Sequence, residues 1–204
     1  MAADPVADSV VALAEIHQEL DRIFELAREL VVAGDGAHAA RALAVYRALT
    51  ARHAADEEAL LLAHNECTFI WSNSEGWPVG VIMSYVWRDG KFWLTASSQR
   101  ARVSAVRRDP RVCVVVTSTG SPIPRNKAIT WKGTCTLHDD AATKAWFYPE
   151  LAKVLQPDPV RAAVFEKFLD SPRRVIFEVT PTQRIGYDGA KMGKATAEWM
   201  EANM

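Results

Sequence analysis

The chain has 204 residues, a formal net charge of −1, 49% hydrophobic residues and 24% charged residues. These values are typical of a folded globular protein and exclude a disordered chain or an array of large repeats. The first residues, MAADPVADS, lack the basic segment and apolar core of a secretory signal, and no apolar run is long enough to cross a bilayer. We therefore expect a cytoplasmic protein with no membrane partner.

The charges are distributed unevenly along the chain. Residues 1–66 carry 5 basic and 12 acidic side chains, whereas residues 67–136 carry 10 basic and 3 acidic ones. The last third, 137–204, is nearly neutral. A cationic middle third favours an anionic partner, for which phosphate, nucleic acid and the acidic first third are the candidates.

The first third has helical periodicity. Apolar residues recur every three or four positions over about 7–32, which predicts a helix there. The glycine-rich cluster Gly34–Gly36 ends this helix, and a second periodic stretch follows over about 37–63. We interpret residues 1–66 as a helical hairpin that is accessory to a domain formed by residues 67–204.

The histidines concentrate in this hairpin. His17 adjoins the apolar stripe of the first helix, and His53 and Glu57 lie about one turn apart on the second. Such residues resemble half of a hemerythrin-like metal bundle, whose iron centre needs about five ligands from facing helices. One hairpin supplies too few ligands, so we expect no metal site and interpret these residues as polar groups at a helix interface or surface.

From residue 67 the hydrophobic period changes to two, and β-branched and aromatic residues dominate. Turn residues separate the segments of this pattern. Five strands are predicted, over 67–73, 79–87, 91–97, 111–118 and 128–139. A short basic helix over 98–110 connects the third strand to the fourth.

The remaining chain combines helices with strands. Two helical patterns within 140–170 are separated by Gln156–Pro159. Residues 173–188 predict a strand pair bent at Pro181, and a helix over 193–203 follows. Six or so short antiparallel strands, one crossing helix and helices gathered at the ends indicate an α+β protein built on a small barrel.

Cysteines and tryptophans are interpreted as core residues. Cys67, Cys113 and Cys135 lie within predicted strands and form no close pair, which is typical of reduced core cysteines. Seven tryptophans could stack on nucleic-acid bases, but five of them lie in or beside predicted strands, where they fill the core of a small barrel. Nucleic-acid binding by the basic middle third stays an alternative to our main hypothesis.

The sharpest local signal lies at the end of the third strand. The segment Leu94–Arg102, LTASSQRAR, ends a strand in small hydroxyl residues and opens a basic helix. Hydroxyls, free N–H groups at a helix start and two arginines, Arg100 and Arg102, are the groups that bind a phosphate. The alternative interpretation is a solvated basic helix capped by a serine.

The order of these features resembles the flavin-binding split barrel of the pyridoxamine 5'-phosphate oxidase-like family over about 67–192. The matching segments are the strand GWPVGVIMSY, the strand KFWLT, the S-x-R-x-R segment, the DPRV that starts the next strand, ITWKGT, and RVIFEVTP leading to Tyr187-Asp188. The resemblance implies an antiparallel split β-barrel that binds FMN between the two chains of a homodimer. We expect the second chain to cover apolar strand faces around Trp131 and Val114–Val116.

The resemblance also implies which residues contact the cofactor. In relatives, the strand matching residues 79–84 lies along the isoalloxazine ring, and basic residues after the next strand hold the phosphate. The implied contacts are Met83, Ser84, Leu94, Thr95, Ser97, Arg100 and Arg102, with Lys127 and Trp131 approaching the flavin from the partner subunit. Family oxidases commonly have adjacent Arg-Lys where this chain separates its two arginines by Ala101.

These observations predict a flavin-dependent oxidoreductase that acts on a small organic molecule. The tail 184–204 lacks the basic and histidine pattern with which true pyridoxamine-phosphate oxidases bind their substrate, so we assign no vitamin B6 chemistry. A deazaflavin or haem is the alternative cofactor, and a non-catalytic flavin- or haem-binding protein is the alternative function. We assign no catalytic acid or base, because the flavin itself carries out hydride transfer in such enzymes.

Overall fold

The structure, a computed structural model, describes residues 22–122 and 127–204, without the side chains at 48–57, 190, 191 and 195. These residues form two compact units. One comprises 22–59, 127 and 187–204, and the other comprises 60–122 and 128–186. The division predicted at residue 66 stays a prediction, because part of the first segment lies outside the described residues.

Six antiparallel strands close into a barrel. Their bounds are β1 Glu66–Ser72, β2 Pro78–Arg88, β3 Lys91–Ser97, β4 Arg111–Thr117, β5 Lys127–His138 and β6 Arg174–Asp188. Their order around the barrel is β1-β2-β3-β6-β5-β4, so every strand has two neighbours and the sheet has no open edge. The predicted α+β fold with a six-stranded barrel is confirmed.

The interior of the barrel is filled by alternate residues of each strand. On β3, Phe92, Leu94 and Ala96 are buried, whereas the residues between them are partly exposed. On β4, Val114 and Val116 are fully buried for the same reason. The expectation that these two valines form an exposed apolar face is therefore wrong, because they point into the barrel.

Two features of the barrel depend on glycine. The two-residue turn between β2 and β3 has positive φ at Asp89 (53°) and Gly90 (72°), the backbone that favours an Asp-Gly pair. At Gly133 the requirement is space, because a Cβ atom there would lie 2.6 Å from the carbonyl oxygen of Thr180. Only glycine lets β5 pass this close to β6.

The predicted helices are present where the structure describes them, and residues 7–21 of the first one lie outside the described residues. Helix α1 occupies 22–32, α2 spans Gly36–Ala63, α3 spans Ala101–Arg108, α4 spans Ala141–Leu155, α5 spans Pro159–Leu169 and α6 spans Gly189–Asn203. The break between α1 and α2 includes Gly34, whose φ of 78° favours glycine. Within this pair of helices the rings of Phe24 and Tyr46 lie 5.6 Å apart.

The residues considered for a metal centre lie largely outside the description. His17 precedes residue 22, and the side chains of His53 and Glu57 are not described. Elsewhere in the described chain, no group of three or more His, Cys, Asp or Glu residues is arranged to hold a metal ion. None of the described helices combines the length and the apolar character needed to span a bilayer.

The predicted strand pair over 173–188 is wrong, because these residues form one continuous strand, β6. The pairing of β6 with β3 ends at Val179. Pro181 lies beyond this last pair, so its missing N–H removes no hydrogen bond from the β3–β6 ladder. The final helix also begins earlier than predicted, at Gly189.

A second cluster of buried residues lies on the outer side of the sheet. Trp93 and Ile176 point outward from β3 and β6, and they pack with Phe147 and Leu151 of α4. Asp140 caps the start of α4 by accepting a hydrogen bond from the Thr143 amide at 2.8 Å. The α4–α5 pair is thereby fixed against the barrel.

Candidate functional site

The end of β3 presents two hydroxyl side chains on the outer face of the barrel. Thr95 and Ser97 alternate with buried Leu94 and Ala96 and are therefore directed outward. The Thr95 hydroxyl donates to the Val175 carbonyl at 2.9 Å, which orients it. The chain then turns toward α3, because the carbonyl of Ser97 accepts a hydrogen bond from the Arg100 amide at 3.0 Å.

Helix α3 begins without a side-chain cap. Arg100 occupies the cap position with an extended backbone (φ −71°, ψ 139°), and its side chain makes no capping hydrogen bond. The serine cap considered from the sequence is thus absent, and the first turn contains no acidic residue. Uncapped N–H groups at a helix start attract an anion.

Arg102 lies in the first turn of α3 and is the most unusual side chain of this region. It is half-buried, and its Nε is enclosed and has no hydrogen-bond partner among the described residues. Burial lowers the pKa of Arg102, and the nearby charge of Arg100 lowers it further. Two cations are therefore held close together without a described anion between them, which is the electrostatic setting of an anion site.

A third arginine borders this region and was missed by the sequence reasoning. The amide of Ser98 donates to the carbonyl of Arg173 at 2.6 Å, and Arg174 pairs with Ser97 in the β3–β6 ladder. Exposed Arg173 is therefore adjacent to the β3–α3 connection although it lies far away in sequence. No local motif marks it, because the contact depends on the pairing of β6 with β3.

On β2 the implied contacts face in different directions. Met83 is buried, and its carbonyl lies 3.4 Å from the Cys67 sulfur, so Met83 can offer a ligand only its backbone. Ser84 is half-buried on the outer face, beside the Tyr85–Leu94 pair. Leu94 itself is fully buried in the core.

Ile82, on the outer face of β2, was not singled out from the sequence. It is 72% exposed, which is unusual for an isoleucine in the middle of a strand. The period of two could have identified it, because buried Met83 and Tyr85 require Ile82 and Ser84 to point outward. An exposed apolar side chain on a barrel face is a candidate contact for a ring or a second chain.

The structure places Trp131 inside the barrel and not on its outer face. Lys127 opens β5 in the other compact unit, where its Nζ lies 3.7 Å from Asp188 Oδ2. Trp131 packs inside the barrel, with its ring centroid 6.3 Å from that of Trp87 and 6.4 Å from that of Phe92. Its Nε1 is enclosed and has no hydrogen-bond partner in the described part of the chain.

The opposite end of β3 carries a charged network that is satisfied internally. Glu178 accepts hydrogen bonds from Lys91 Nζ and, at 2.8 Å, from His138 Nε2, while His138 Nδ1 lies 3.6 Å from Asp140. Burial by itself raises the pKa of Glu178, but the hydrogen bonds from Lys91 and His138 outweigh it and hold this pKa below its usual range. Lys91 and His138 thus occupy the carboxylate of Glu178, whose hydrogen bonds need no ligand to complete them.

Two of the three cysteines are buried thiols that supply no nucleophile. All three are free thiols, and burial raises the pKa of Cys67 and of Cys135 to about 12, so both remain protonated and unreactive. Cys113 is only half-buried, because it points away from the barrel interior. The prediction that Cys113 is a core residue is therefore only partly confirmed.

Comparisons with solved structures agree with the barrel fold. In solved structures the fold recurs in the conserved hypothetical protein Rv2991 of Mycobacterium tuberculosis, at 15% identity, 68% coverage of this chain, 86% of that chain and a TM-score of 0.58. It recurs in the haem storage protein HutZ of Vibrio cholerae, at 9% identity, with 65% and 92% coverage and a TM-score of 0.50. These likenesses show the fold alone.

The family assignment comes from the sequence itself. No curated protein sequence matches the chain significantly. The family model described as pyridoxamine 5'-phosphate oxidase, however, matches residues 54–186, which is more than half of the chain and includes all six strands up to Gly186. The resemblance derived from the motifs is confirmed, and the chain belongs to the pyridoxamine 5'-phosphate oxidase family.

Proposed function

We propose that this protein is an FMN-dependent oxidoreductase acting on a small organic substrate. The observation that carries the proposal is the enclosed, unpartnered Nε of Arg102 at the uncapped start of α3. A phosphate monoester supplies the negative charge and the acceptor oxygens that this place lacks. When bound, FMN supplies the hydride chemistry, and the residues described here bind and orient it.

The groups around Arg102 fit the phosphate end of such a cofactor. Arg100 lies two residues before it, Ser97 closes the turn that leads into α3, and the carbonyl contact with Ser98 holds Arg173 beside this connection. The donors thus come from the end of β3, the start of α3 and the start of β6. The backbone of each donor is held by one of these elements, and the half-buried Arg102 side chain loses less conformational freedom on anion binding than an exposed arginine does.

The outer face of β2 fits the flavin ring and the second chain. Ile82 and Val115 are both aligned with Thr68 across β1, so they form one apolar strip on the outside of the barrel. Members of this family are commonly dimeric. We propose that a homodimer covers this strip and that the isoalloxazine lies at its edge, beside Ser84 and Thr95.

The cofactor proposal is tested by spectroscopy and titration. The purified full-length chain is reconstituted with FMN, with a deazaflavin or with haem, and its absorption spectrum shows which one is retained. FMN is expected to bind and riboflavin to bind poorly, because riboflavin lacks the phosphate. Preferential retention of haem or deazaflavin, or equal affinity for riboflavin and FMN, contradicts the proposal.

Two single variants test the position of the phosphate. Arg102→Ala is expected to weaken FMN binding by about tenfold or more, the usual contribution of one hydrogen bond to a charged group. Arg107→Ala removes the same charge from the exposed last turn of α3 and serves as the matched control. Equal loss of affinity in both variants contradicts a phosphate site at Arg102, since it indicates only a general effect of charge.

The dimer is tested by light scattering. The wild-type chain is expected to be a dimer, and Ile82→Glu is expected to shift it toward the monomer, because a carboxylate cannot be buried in an apolar interface without a partner. Val160→Glu, at an equally exposed position on α5, is the control and should leave the dimer intact. A monomeric wild-type protein rules out the proposed dimer and a cofactor site shared by two chains.

A further inference from the structure

A cleft outside the proposed flavin site lies between α4 and α5. Its volume is about 340 Å³, within the range of small-molecule sites. Its walls are formed by two alanines of α4 and by five polar residues: Asp139, Lys144, Tyr148, Glu166 and Asp170. None of them is among the arginines at or beside the start of α3, which are Arg100, Arg102 and Arg173.

The charges around this cleft do not neutralise one another. Among the described residues, no ion pair within 4 Å joins Lys144 to Glu166, Asp170 or Asp139. Lys144 and Glu166 are nevertheless half-buried and have lost part of their hydration. Elsewhere on α4, Lys153 pairs with Glu150 at 2.9 Å. Half-buried opposite charges that remain apart across a cleft are arranged to contact something placed between them.

Tyr148 provides a second, independent indication of a ligand. The residue is 2% exposed, and its hydroxyl makes no hydrogen bond to the described chain. The hydroxyl of Thr95, which donates to Val175, is near enough to lower the pKa of Tyr148 but does not meet the geometry of a hydrogen bond with the phenol. Burial has the larger effect and raises this pKa, so the phenol keeps its proton as a donor. A buried donor without an acceptor costs free energy.

The two helices present opposite groups to the cleft. Lys144 and Tyr148 are four residues apart on α4, so both donors lie on one face of that helix. Glu166 and Asp170 are four residues apart at the end of α5, so both carboxylates lie on one face of the other helix. The carbonyl end of α5 adds negative potential beside Asp170, which caps it. One wall therefore donates to an anion and the other wall attracts a cation.

We propose that this cleft binds a small zwitterion of amino-acid size. The carboxylate of the ligand accepts hydrogen bonds from Lys144 and Tyr148, and its ammonium group donates to Glu166 and Asp170. A simple amine leaves Lys144 and Tyr148 without an acceptor, and a simple carboxylate meets the repulsion of three acidic side chains. The charged side chains of this cleft differ from those proposed to hold the flavin phosphate, so binding of FMN and binding of the zwitterion are measured separately.

The experiment is calorimetric titration of the full-length protein at low ionic strength. The probes are glycine, β-alanine and γ-aminobutyrate, which differ in the distance between their charges, with propylamine and propionate as single-charge controls. At least one zwitterion is expected to bind about tenfold or more tightly than both single-charge probes, since it makes both sets of charged hydrogen bonds. Absence of binding by all three zwitterions, or propylamine binding as tightly as they do, overturns the proposal.

Matched variants locate the site. Lys144→Gln and Glu166→Gln are each expected to weaken binding of the zwitterion about tenfold or more, and Tyr148→Phe is expected to weaken it less, because it removes a neutral donor. Lys153→Gln and Glu150→Gln alter an exposed pair on the same helix and should leave binding unchanged. Equal weakening by the controls overturns the proposed location. Circular dichroism of each variant verifies that the fold is retained.

Discussion

Charged side chains lie near both ends of β3, but their hydrogen bonds are satisfied at one end and not at the other. At its start, Glu178 accepts hydrogen bonds from Lys91 and from His138. Beyond its end, Arg100 and Arg102 stand together, and the Nε of Arg102 has no partner among the described residues. The carboxylate at the first end has its hydrogen-bond partners within the described chain, whereas the Nε of Arg102 at the second end does not.

This difference separates charges whose hydrogen bonds are made inside the protein from a charge that we propose binds a phosphate. A buried group whose hydrogen bonds are satisfied inside the protein contributes to stability, and removing its partner is costly. An enclosed donor with no partner instead costs free energy in the unliganded state. We propose that a ligand completes the Arg102 donor, so the comparison itself predicts how variants at the two ends behave.

The largest expected effect is on cofactor affinity. The double variant Arg100→Ala, Arg102→Ala is expected to weaken FMN binding by about 10- to 100-fold, because two charged hydrogen-bond donors are lost. Its unfolding free energy should change by only about 0.5 kcal/mol, since Arg100 is exposed and Arg102 loses no described hydrogen bond at Nε. Fluorescence titration and urea denaturation measure the two quantities. An unfolded variant, or unchanged affinity, shows that the arginines are structural.

The next largest effect is on stability. Glu178→Gln is expected to lower the unfolding free energy by about 1–2 kcal/mol, because Lys91 and His138 lose their anionic acceptor and the half-exposed lysine is partly screened by solvent. FMN affinity should be unchanged. The control, Glu150→Gln, removes an exposed acceptor and should alter stability by less than about 0.5 kcal/mol. Equal losses in both variants contradict the distinct role of the Glu178 network.

A smaller increase in stability is expected at the end of β3 that leads to Arg100 and Arg102. Arg102→Met keeps much of the side-chain volume and removes the enclosed unpaired N–H, so the unliganded protein should be more stable by about 0.5–1 kcal/mol. Urea denaturation without FMN measures this gain, and Arg107→Met is the exposed control. A loss of stability in Arg102→Met means that the guanidinium contributes to the fold.

The smallest effect is the pH dependence of the Glu178 contribution. Because the pKa of Glu178 is lower in the folded protein than its usual value of 4.5, its stabilisation is present above that value and is lost as the pH falls through the folded pKa. The stability difference between wild type and Glu178→Gln should therefore narrow by at most about 1 kcal/mol as the pH is lowered from 6 to 4. Urea midpoints at several pH values measure it, and a difference that widens on acidification contradicts the sign.

Local physical chemistry was sufficient for most of the secondary structure. Alternation of apolar and polar residues determined which segments become strands, because side chains of a strand point to opposite faces. The Asp89-Gly90 turn was predictable because positive φ has a steric origin within the turn itself. The cluster Thr95, Ser97, Arg100 and Arg102 was recognisable for the same reason: these residues are neighbours along the chain.

The remaining features depended on contacts between residues that are far apart in the chain. The strand pair predicted at Pro181 became one strand because the proline lies past the last β3–β6 pair, which is a property of register. Arg173 lies beside the β3–α3 connection only because β6 pairs with β3. Trp131 points into the barrel because of its place in the inward and outward alternation of β5. The sequence by itself determined most of the elements, the family and the local hydroxyl and arginine motif. Only the tertiary structure decided which charges are neutralised and which remain free, because neutralisation depends on partners that are far apart in the chain.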